Sequence, residues 1–340
     1  MVEVSDGVSF DDVYEKILEK HKDKKYKPKP AFFSRIARLL KNARDVELFF
    51  DKCYEPMLFS IRANTLKISI EKLRQRLEQK WQIEWLGKYG LEEGFVIKTR
   101  LEPGALGNSL EHVLGYYYVQ SISSMLPAKV LMPQANSLVL DCCAAPGSKT
   151  THLAAIMANS GLIVANDISW ERGIALASNL QRCGVINAIL TTMPFSLLAK
   201  NLISKKLSFD YILVDAPCSN EGTIRKNQEL FKLWSEKTIK RLSRIQKGIL
   251  ARAIGLLKND GILVYSTCTL APEENEEVID YVLRKFPLRV EKIKLKIPTR
   301  QGISEWQGKS YSKEIKKAIR IMPQDFDSEG FFIAKLRLEK

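Results

Sequence analysis

SLVLDCCAAPGSKTTHLAAIMANSGLIVANDIS, residues Ser137–Ser169, carries a strand-like apolar run, a Gly-Pro turn, a helical stretch and a second apolar run. Short apolar runs separated by helix-length segments predict parallel strands joined by right-handed crossovers. The alternation continues downstream. WERGIALASNLQRCG (Trp170–Gly184) reads as helix, INAILTT (Ile186–Thr192) and FDYILVD (Phe209–Asp215) as strands. A long basic helix over Thr223–Arg252 follows, then the strand GILVYST (Gly261–Thr267). GFFIAKLRL near the C-terminus supplies a late strand, and YYYVQSISSMLPAKVL (Tyr116–Leu131) predicts a helix leading in. Residues 111–340 therefore read as one α/β domain with a mostly parallel sheet.

Residues 1–110 read as a separate, smaller unit. Helix-like spacing runs over 9–50, for example Ile36, Leu39, Leu40 and Ala43, broken by the charged KHKDKKYKPKP with its two prolines. LFSIRANT (Leu58–Thr65) predicts a strand, and Thr65 a cap for the amphipathic helix ISIEKLRQRLEQK. WQIEWLGKYGLEEGFVIKTR then reads strand, turn, strand.

The 340 residues are 45% hydrophobic and 27% charged, as in ordinary globular chains. No apolar run reaches the roughly 18 residues of a membrane helix, and the acidic N-terminus lacks the h-region of a signal peptide. A cytoplasmic protein is expected. The six cysteines form no C-x-x-C pair and only three histidines are present, so no metal site is expected. Net charge is +14, with +7 over residues 223–252 and +9 over 284–320, but only +3 over 1–115. That excess favours a polyanion such as RNA, although a solvated basic surface has the same composition.

DCCAAPGSKT (Asp141–Thr150) joins the first strand of the α/β domain to its helix. The compact Ala-Ala-Pro-Gly turn brings backbone close to a ligand, and the helix start offers free N–H groups to a carboxylate. Asp167, at the end of the next strand, is placed to accept from both hydroxyls of a ribose. No G-x-G-x-x-G occurs, which disfavours a dinucleotide. One nucleoside with a small charged tail, as in S-adenosylmethionine, fits better; an ordinary βα turn with a surface Asp gives the same pattern.

Two strands end in polar loops with a cysteine: FDYILVDAPCSNEGT places Cys218, and GILVYSTCTLAPEEN places Cys268. Strand ends of an open α/β sheet form its ligand edge, so two thiols there suggest covalent chemistry with a nucleophile and a helper. The sequence alone does not rank them. Cys142 and Cys183 read as core residues.

Together DAPCS (Asp215–Ser219), STCT (Ser266–Thr269) and DCCAAPGSKT closely resemble the Nop/Sun family of RNA cytosine-C5 methyltransferases. The resemblance extends over about residues 105–285, including GYYYVQSISSMLPA and PEENEEVI, and SIRANTLK is similar to the start of that family's RNA-binding extension. It implies a Rossmann-like class I methyltransferase with a seven-stranded sheet, an N-terminal RNA-binding domain and S-adenosylmethionine as cofactor. It also implies that Cys268 attacks carbon 6 of cytosine, Cys218 assists release and Asp215 pairs with the base. Lys149 would reach the base, and Cys143, Ala144, Ala145, Pro146, Gly147, Ser148, Lys149, Asp167, Arg172 and Asp215 would hold the cofactor. Two departures stand out: Ser148 replaces a usual glycine, and no acid lies between Ile189 and Leu198, where members usually place one near adenine.

The chemistry agrees. Carbon 5 of cytosine is a poor nucleophile until a thiolate adds at carbon 6 and makes the ring an enamine. A hydrogen bond or proton at nitrogen 3 assists that addition. The expected product is 5-methylcytosine in tRNA, with rRNA next. A DNA cytosine methyltransferase would instead attack with the Pro-Cys thiol, Cys218. A non-catalytic RNA-binding assembly factor would bind RNA without methyl transfer. Asn227 and Arg225, in the loop after Cys218, are weaker candidates for the base pocket.

Overall fold

The computed structural model describes residues 9–339; the stretch 1–8, read as acidic above, lies outside them. Three helices open the chain: α1 (Phe10–Lys20), α2 (Pro30–Leu40) and α3 (Ala43–Tyr54). Each has a local start signal: Ser9 accepts the Asp11 N–H, Pro30 opens α2, and Asn42 accepts the Asp45 N–H. Their apolar faces bury Ile17, Phe32, Phe33, Phe49 and Phe50 against Ile224, Phe231, Trp234, Leu270 and Ala271. The N-terminal helices thus pack behind the segments that follow Cys218 and Cys268.

A small antiparallel sheet comes next, built from β1 (Ser60–Ala63), β2 (Ile83–Trp85), β3 (Gly94–Ile97) and β4 (Tyr117–Val119) in the order β2-β3-β1-β4. Helix α4 (Ile70–Glu78) packs on it, and the single-turn α5 (Leu110–Val113) precedes β4. Two expectations are corrected here. Ser69, not Thr65, caps α4 by accepting the Lys72 N–H. Residues 116–131 are not one helix: Tyr117–Val119 pair with Ala63–Ile61, and only α6 (Ile122–Leu131) is helical. Tyr-Tyr-Val suits a pleated edge, and three residues are too few for a period to show. The small sheet therefore takes its fourth strand from beyond residue 110.

The second sheet is built from β5 (Leu138–Asp141), α7 (Ser148–Ile156), β6 (Leu162–Asp167), α8 (Trp170–Cys183), β7 (Ala188–Thr192), α9 (Phe195–Ser204) and β8 (Phe209–Asp215). The single-turn α10 (Leu230–Leu233), α11 (Glu236–Ile254), β9 (Leu257–Thr267) and α12 (Glu276–Leu283) follow. The chain ends with β10 (Leu288–Glu291), β11 (Arg300–Gln301), the small hairpin β12 (Glu305–Trp306) and β13 (Lys309–Ser310), β14 (Ile319–Ile321) and β15 (Phe331–Leu338). The order β7-β6-β5-β8-β9-β15-β14 supplies the seven expected strands. β11 beside β14 and β10 beside β15 bring the total to nine. β7 to β9 are parallel, and β15 is antiparallel to β9.

Side chains alternate across this sheet. Leu140, Ile212, Val214 and Leu263 face α9, α11 and α12, whereas Val139, Leu213 and Val264 face α6 and α7. From β5 the chain winds outward through β6 and β7, then returns to place β8 and β9 on the other side. The β5/β8 boundary is the switch point, and its C-terminal edge is a crevice. Among the described residues, no helix is long and apolar enough to cross a membrane.

The expected basic helix over 223–252 is also shorter. Trp234 and Ser235 are extended, and Ser235 caps α11 by accepting the Thr238 N–H, so the regular helix starts at Glu236.

Candidate active site

The crevice holds a cavity of about 850 Å³ lined by Cys143, Ala145, Asp167 and Arg172 on one side and Asp215, Cys218 and Cys268 on the other. The β5–α7 loop is stapled to β6 by the Ala144 N–H, which donates to the Asn166 carbonyl at 2.7 Å. Gly147 has φ +103°, and a Cβ there would lie 2.9 Å from Leu176 Cδ1, so only glycine fits without a shift. Helix α7 has no side-chain cap, which leaves its first-turn N–H groups to a ligand.

Asp167 is buried, and backbone N–H groups orient it. Oδ2 accepts from Ala145 and Oδ1 from Ser169, both at 3.1 Å. Arg172 lies 3.5 Å from Asp167 Oδ2 and also donates to the Ala145 carbonyl. Burial, with Asp141, Asp215 and Asp167 nearby, pushes the Cys143 thiol well up, so it stays protonated.

Across the crevice, β8 and β9 present the two thiols. Cys218 Sγ and Cys268 Sγ are 3.2 Å apart and unbonded, against about 2.05 Å in a disulfide. Asn220 Oδ1 accepts from Cys268 at 3.0 Å and from Cys218 at 3.6 Å. The hydrogen bond to Cys268, burial and the Cys268 charge push the Cys218 thiol well above its ordinary value. Asp215 Oδ2 pairs with Lys149 Nζ at 2.6 Å, and its Oδ1 accepts from Ser266 Oγ at 2.7 Å. Burial alone would lower the Lys149 pKa, but the Asp215 charge and hydrogen bond hold it above the usual lysine range. Lys149 also donates to Ser124 Oγ at 3.0 Å.

The structure thus brings Cys143, Ala145, Asp167, Arg172, Asp215, Cys218 and Cys268 into the lining of one cavity. Ala144, Pro146, Gly147, Ser148 and Lys149 shape it from behind. The Pro146 carbonyl accepts from Tyr118 Oη and Asn179, the Ser148 carbonyl accepts from the buried Arg62, and Lys149 acts through Asp215.

Arg225 and Asn227 are corrected. Arg225 is buried away from the cavity, donating to the Glu55 and Pro56 carbonyls and pairing with Asp327, while Asn227 accepts the Glu229 N–H. The turn at Asn220, which is left-handed (φ 60°), sends the following residues toward α3. Asn220 was legible only as part of that loop; its proximity to both thiols is tertiary. Ile168, Pro194, Phe195 and Ser196 line the cavity where no acid follows β7. Arg241, Arg244 and Arg252 line it from α11.

With this geometry in place, the likenesses to known proteins are specific. The family described as 16S rRNA methyltransferase RsmB/F matches residues 128–337, and the N-terminal domain of 16S rRNA methyltransferase RsmF matches residues 29–121. The chain is 43% identical to the tRNA (cytosine(49)-C(5))-methyltransferase of Pyrococcus abyssi, over 86% of this chain and 92% of that one. It is 41% identical to the ribosomal RNA small subunit methyltransferase F of Psychromonas ingrahamii, over 91% of this chain but 63% of that one. It therefore spans less than two thirds of the longer bacterial relative. Among solved structures, a methyltransferase homolog protein from Pyrococcus horikoshii has a TM-score of 0.81 and 34% identity, over 95% of this chain and 99% of the other. NSun6 from Pyrococcus horikoshii, solved with SFG, has a TM-score of 0.76 and 26% identity, over 91% of this chain and 97% of the other. A class I methyltransferase sheet with two thiols at its ligand edge, matched over most of its length, belongs to the RsmB/F (Nop/Sun) family of S-adenosylmethionine-dependent RNA cytosine-C5 methyltransferases.

Proposed function

We propose that this chain makes 5-methylcytosine in tRNA through a covalent adduct between Cys268 and carbon 6 of the target cytosine. The observation that carries this reading is the pair of thiols 3.2 Å apart in the cavity that also holds Asp215 and Asp167. The residues present fit a nucleoside with a charged tail. Asp167 would take the ribose hydroxyls, the uncapped start of α7 the carboxylate, and Cys143 and Asp215 the methionine end. When bound, S-adenosylmethionine supplies the methyl group for carbon 5.

The target base must leave its stack to reach Cys268. Asp215, fixed by Lys149 and Ser266, is the group to pair with its edge. Addition forms the S–C6 bond and moves the C5–C6 pair onto carbon 5. After methylation, the carbon-5 proton leaves to water and its bonding pair restores the C5–C6 double bond. The C6–S bond breaks with its electrons on Cys268 sulfur. The Cys218 thiol, held protonated beside that sulfur, stabilises it by a hydrogen bond as it leaves.

tRNA is favoured because the relative named for tRNA is 43% identical over 86% of this chain, against 41% for the relative named for ribosomal RNA. Both family descriptions name 16S rRNA, which supports rRNA as a second reading. Incubation with labelled S-adenosylmethionine and either tRNA transcripts or naked 16S rRNA decides between them. Label in tRNA, lost in Cys268→Ala, is the expected result; label in rRNA alone would replace the substrate assignment.

A further inference from the structure

Behind the Cys218 loop lies a buried polar pair that the chemistry above does not use. Glu274, between β9 and α12, and Gln246, from the middle of α11, are both fully buried. Glu274 Oε2 accepts the Ser219 N–H at 3.1 Å and a Gln246 Nε2–H at 2.7 Å. Gln246 Nε2 also donates to the Pro217 carbonyl at 2.8 Å. One carboxyl–amide pair therefore holds the chain on both sides of Cys218. Tyr265 Oη fixes the base of the clamp by donating to the Glu274 carbonyl at 2.6 Å. Ser219 Oγ and Thr269 Oγ1, 2.7 Å apart, join the loop to the one that carries Cys268.

Among the described residues, Glu274 Oε1 and Gln246 Oε1 are buried without a hydrogen-bond partner. An ionised Glu274 would leave two bare acceptors and an uncompensated buried charge. A protonated Glu274 supplies an O–H. The titratable groups that face it give no cationic relief: Glu221 adds a like charge, and the Cys218 thiol and Tyr265 phenol are neutral acids with raised values. Burial pushes the Glu274 carboxyl up to about 7, outweighing the hydrogen bonds from Ser219 and Gln246.

We propose that Glu274 is a positioning residue for product release: as a neutral carboxylic acid bonded to Gln246, it fixes Pro217–Ser219 so that the Cys218 sulfur stays beside that of Cys268. The proposal rests on the release role given to Cys218 above. Loss of the Glu274 proton loosens the clamp, so release slows above neutral pH while adduct formation persists.

Single-turnover reactions with tRNA transcripts and labelled S-adenosylmethionine, resolved on denaturing gels, separate adduct from released RNA. Glu274→Ala should slow release roughly tenfold, as loss of about one net hydrogen bond would, and accumulate adduct. Its affinity for S-adenosylhomocysteine, read by calorimetry, should hold. Glu274→Gln keeps an acceptor and offers an N–H in place of the O–H, so it should rescue release and lack the decline of the wild type above neutral pH. Release from Glu274→Ala at the wild-type rate overturns the proposal, as does a shared pH profile for wild type and Glu274→Gln. Should Glu274→Ala fail to fold, that pH comparison decides alone. Cys218→Ala separates the two layers. If it accumulates adduct and Glu274→Ala does not, the clamp is wrong; if it accumulates none, the release role itself is wrong and the clamp falls with it.

Discussion

Lys149 and Asp215 tie the β5–α7 loop to the strand that precedes Cys218, and breaking this pair tests whether they form one unit. Lys149 is 7% exposed, and the Asp215 side chain keeps 26% of its surface. At their 2.6 Å separation and an effective dielectric of 20, the attraction is about 6 kcal/mol, a ceiling that the partial exposure of Asp215 reduces. Lys149→Met leaves Asp215 with only the Ser266 hydroxyl, and Asp215→Leu leaves a buried ammonium. Each should cost about 3–5 kcal/mol, the second more because Lys149 is the deeper partner. The double variant removes both charges and should recover at least half of the summed loss. Because the Lys149 pKa is raised, this stabilisation is complete at neutral pH and lost only as pH rises through the lysine range. Urea unfolding at pH 7, with midpoints compared at constant slope, measures each corner of the cycle. Single effects that add to within about 0.5 kcal/mol in the double variant would refute the coupled pair.

Three further outcomes are expected. His152 donates from Nε2 to Glu93 at 2.9 Å, and its buried Nδ1 has no partner among the described residues, so a charged ring would strand an N–H. Burial, aided by Arg62, lowers this histidine to about 4. Stability present above the unfolded value near 6.5 should fall by roughly 3 kcal/mol toward pH 4, and His152→Gln should flatten that window in pH-dependent melts. Gly147→Ala, forced to a positive φ against Leu176, should cost about 1–3 kcal/mol and weaken S-adenosylhomocysteine binding measured by calorimetry. Arg241 and Arg244, exposed on α11 at the cavity and without an acidic partner among the described residues, should each hold a phosphate. Replacing both with Ala should reduce the slope of log affinity against log salt by about 2 for tRNA binding.

The parallel core was legible because each strand is a short apolar run and each crossover has helix length. The position of the β5–α7 loop and of the two thiol loops around one cavity was equally legible, since each sits where a strand run stops. What the sequence concealed was tertiary. Tyr117–Val119 became a strand because β1 offered an open edge, not because of any period. β10, β11 and β14 lie in the basic stretch 284–321, where charge rather than alternation dominates, and β10 and β11 are short. Arg225 reads as a pocket residue by proximity to Cys218, yet a left-handed turn at Asn220 directs it to α3. Glu274 reads as one acid among several in PEENEEVI, and only the approach of α11 shows it holding the Cys218 loop. Lys149 was legible as part of the loop, but its ion pair with Asp215 depends on α7 and β8 meeting at the switch point.

The proposed roles, attack by Cys268 and release by Cys218, are separated by trapping the covalent adduct. Cys218→Ala is incubated with tRNA transcripts and S-adenosylmethionine, the covalent complex is isolated under denaturing conditions, and the cross-linked peptide is mapped by mass spectrometry. A methylated cytidine attached to Cys268 is expected, with no such complex in the Cys218→Ala/Cys268→Ala double variant. Methylation that survives Cys268→Ala alone, with the nucleotide attached to Cys218, would reverse the two roles.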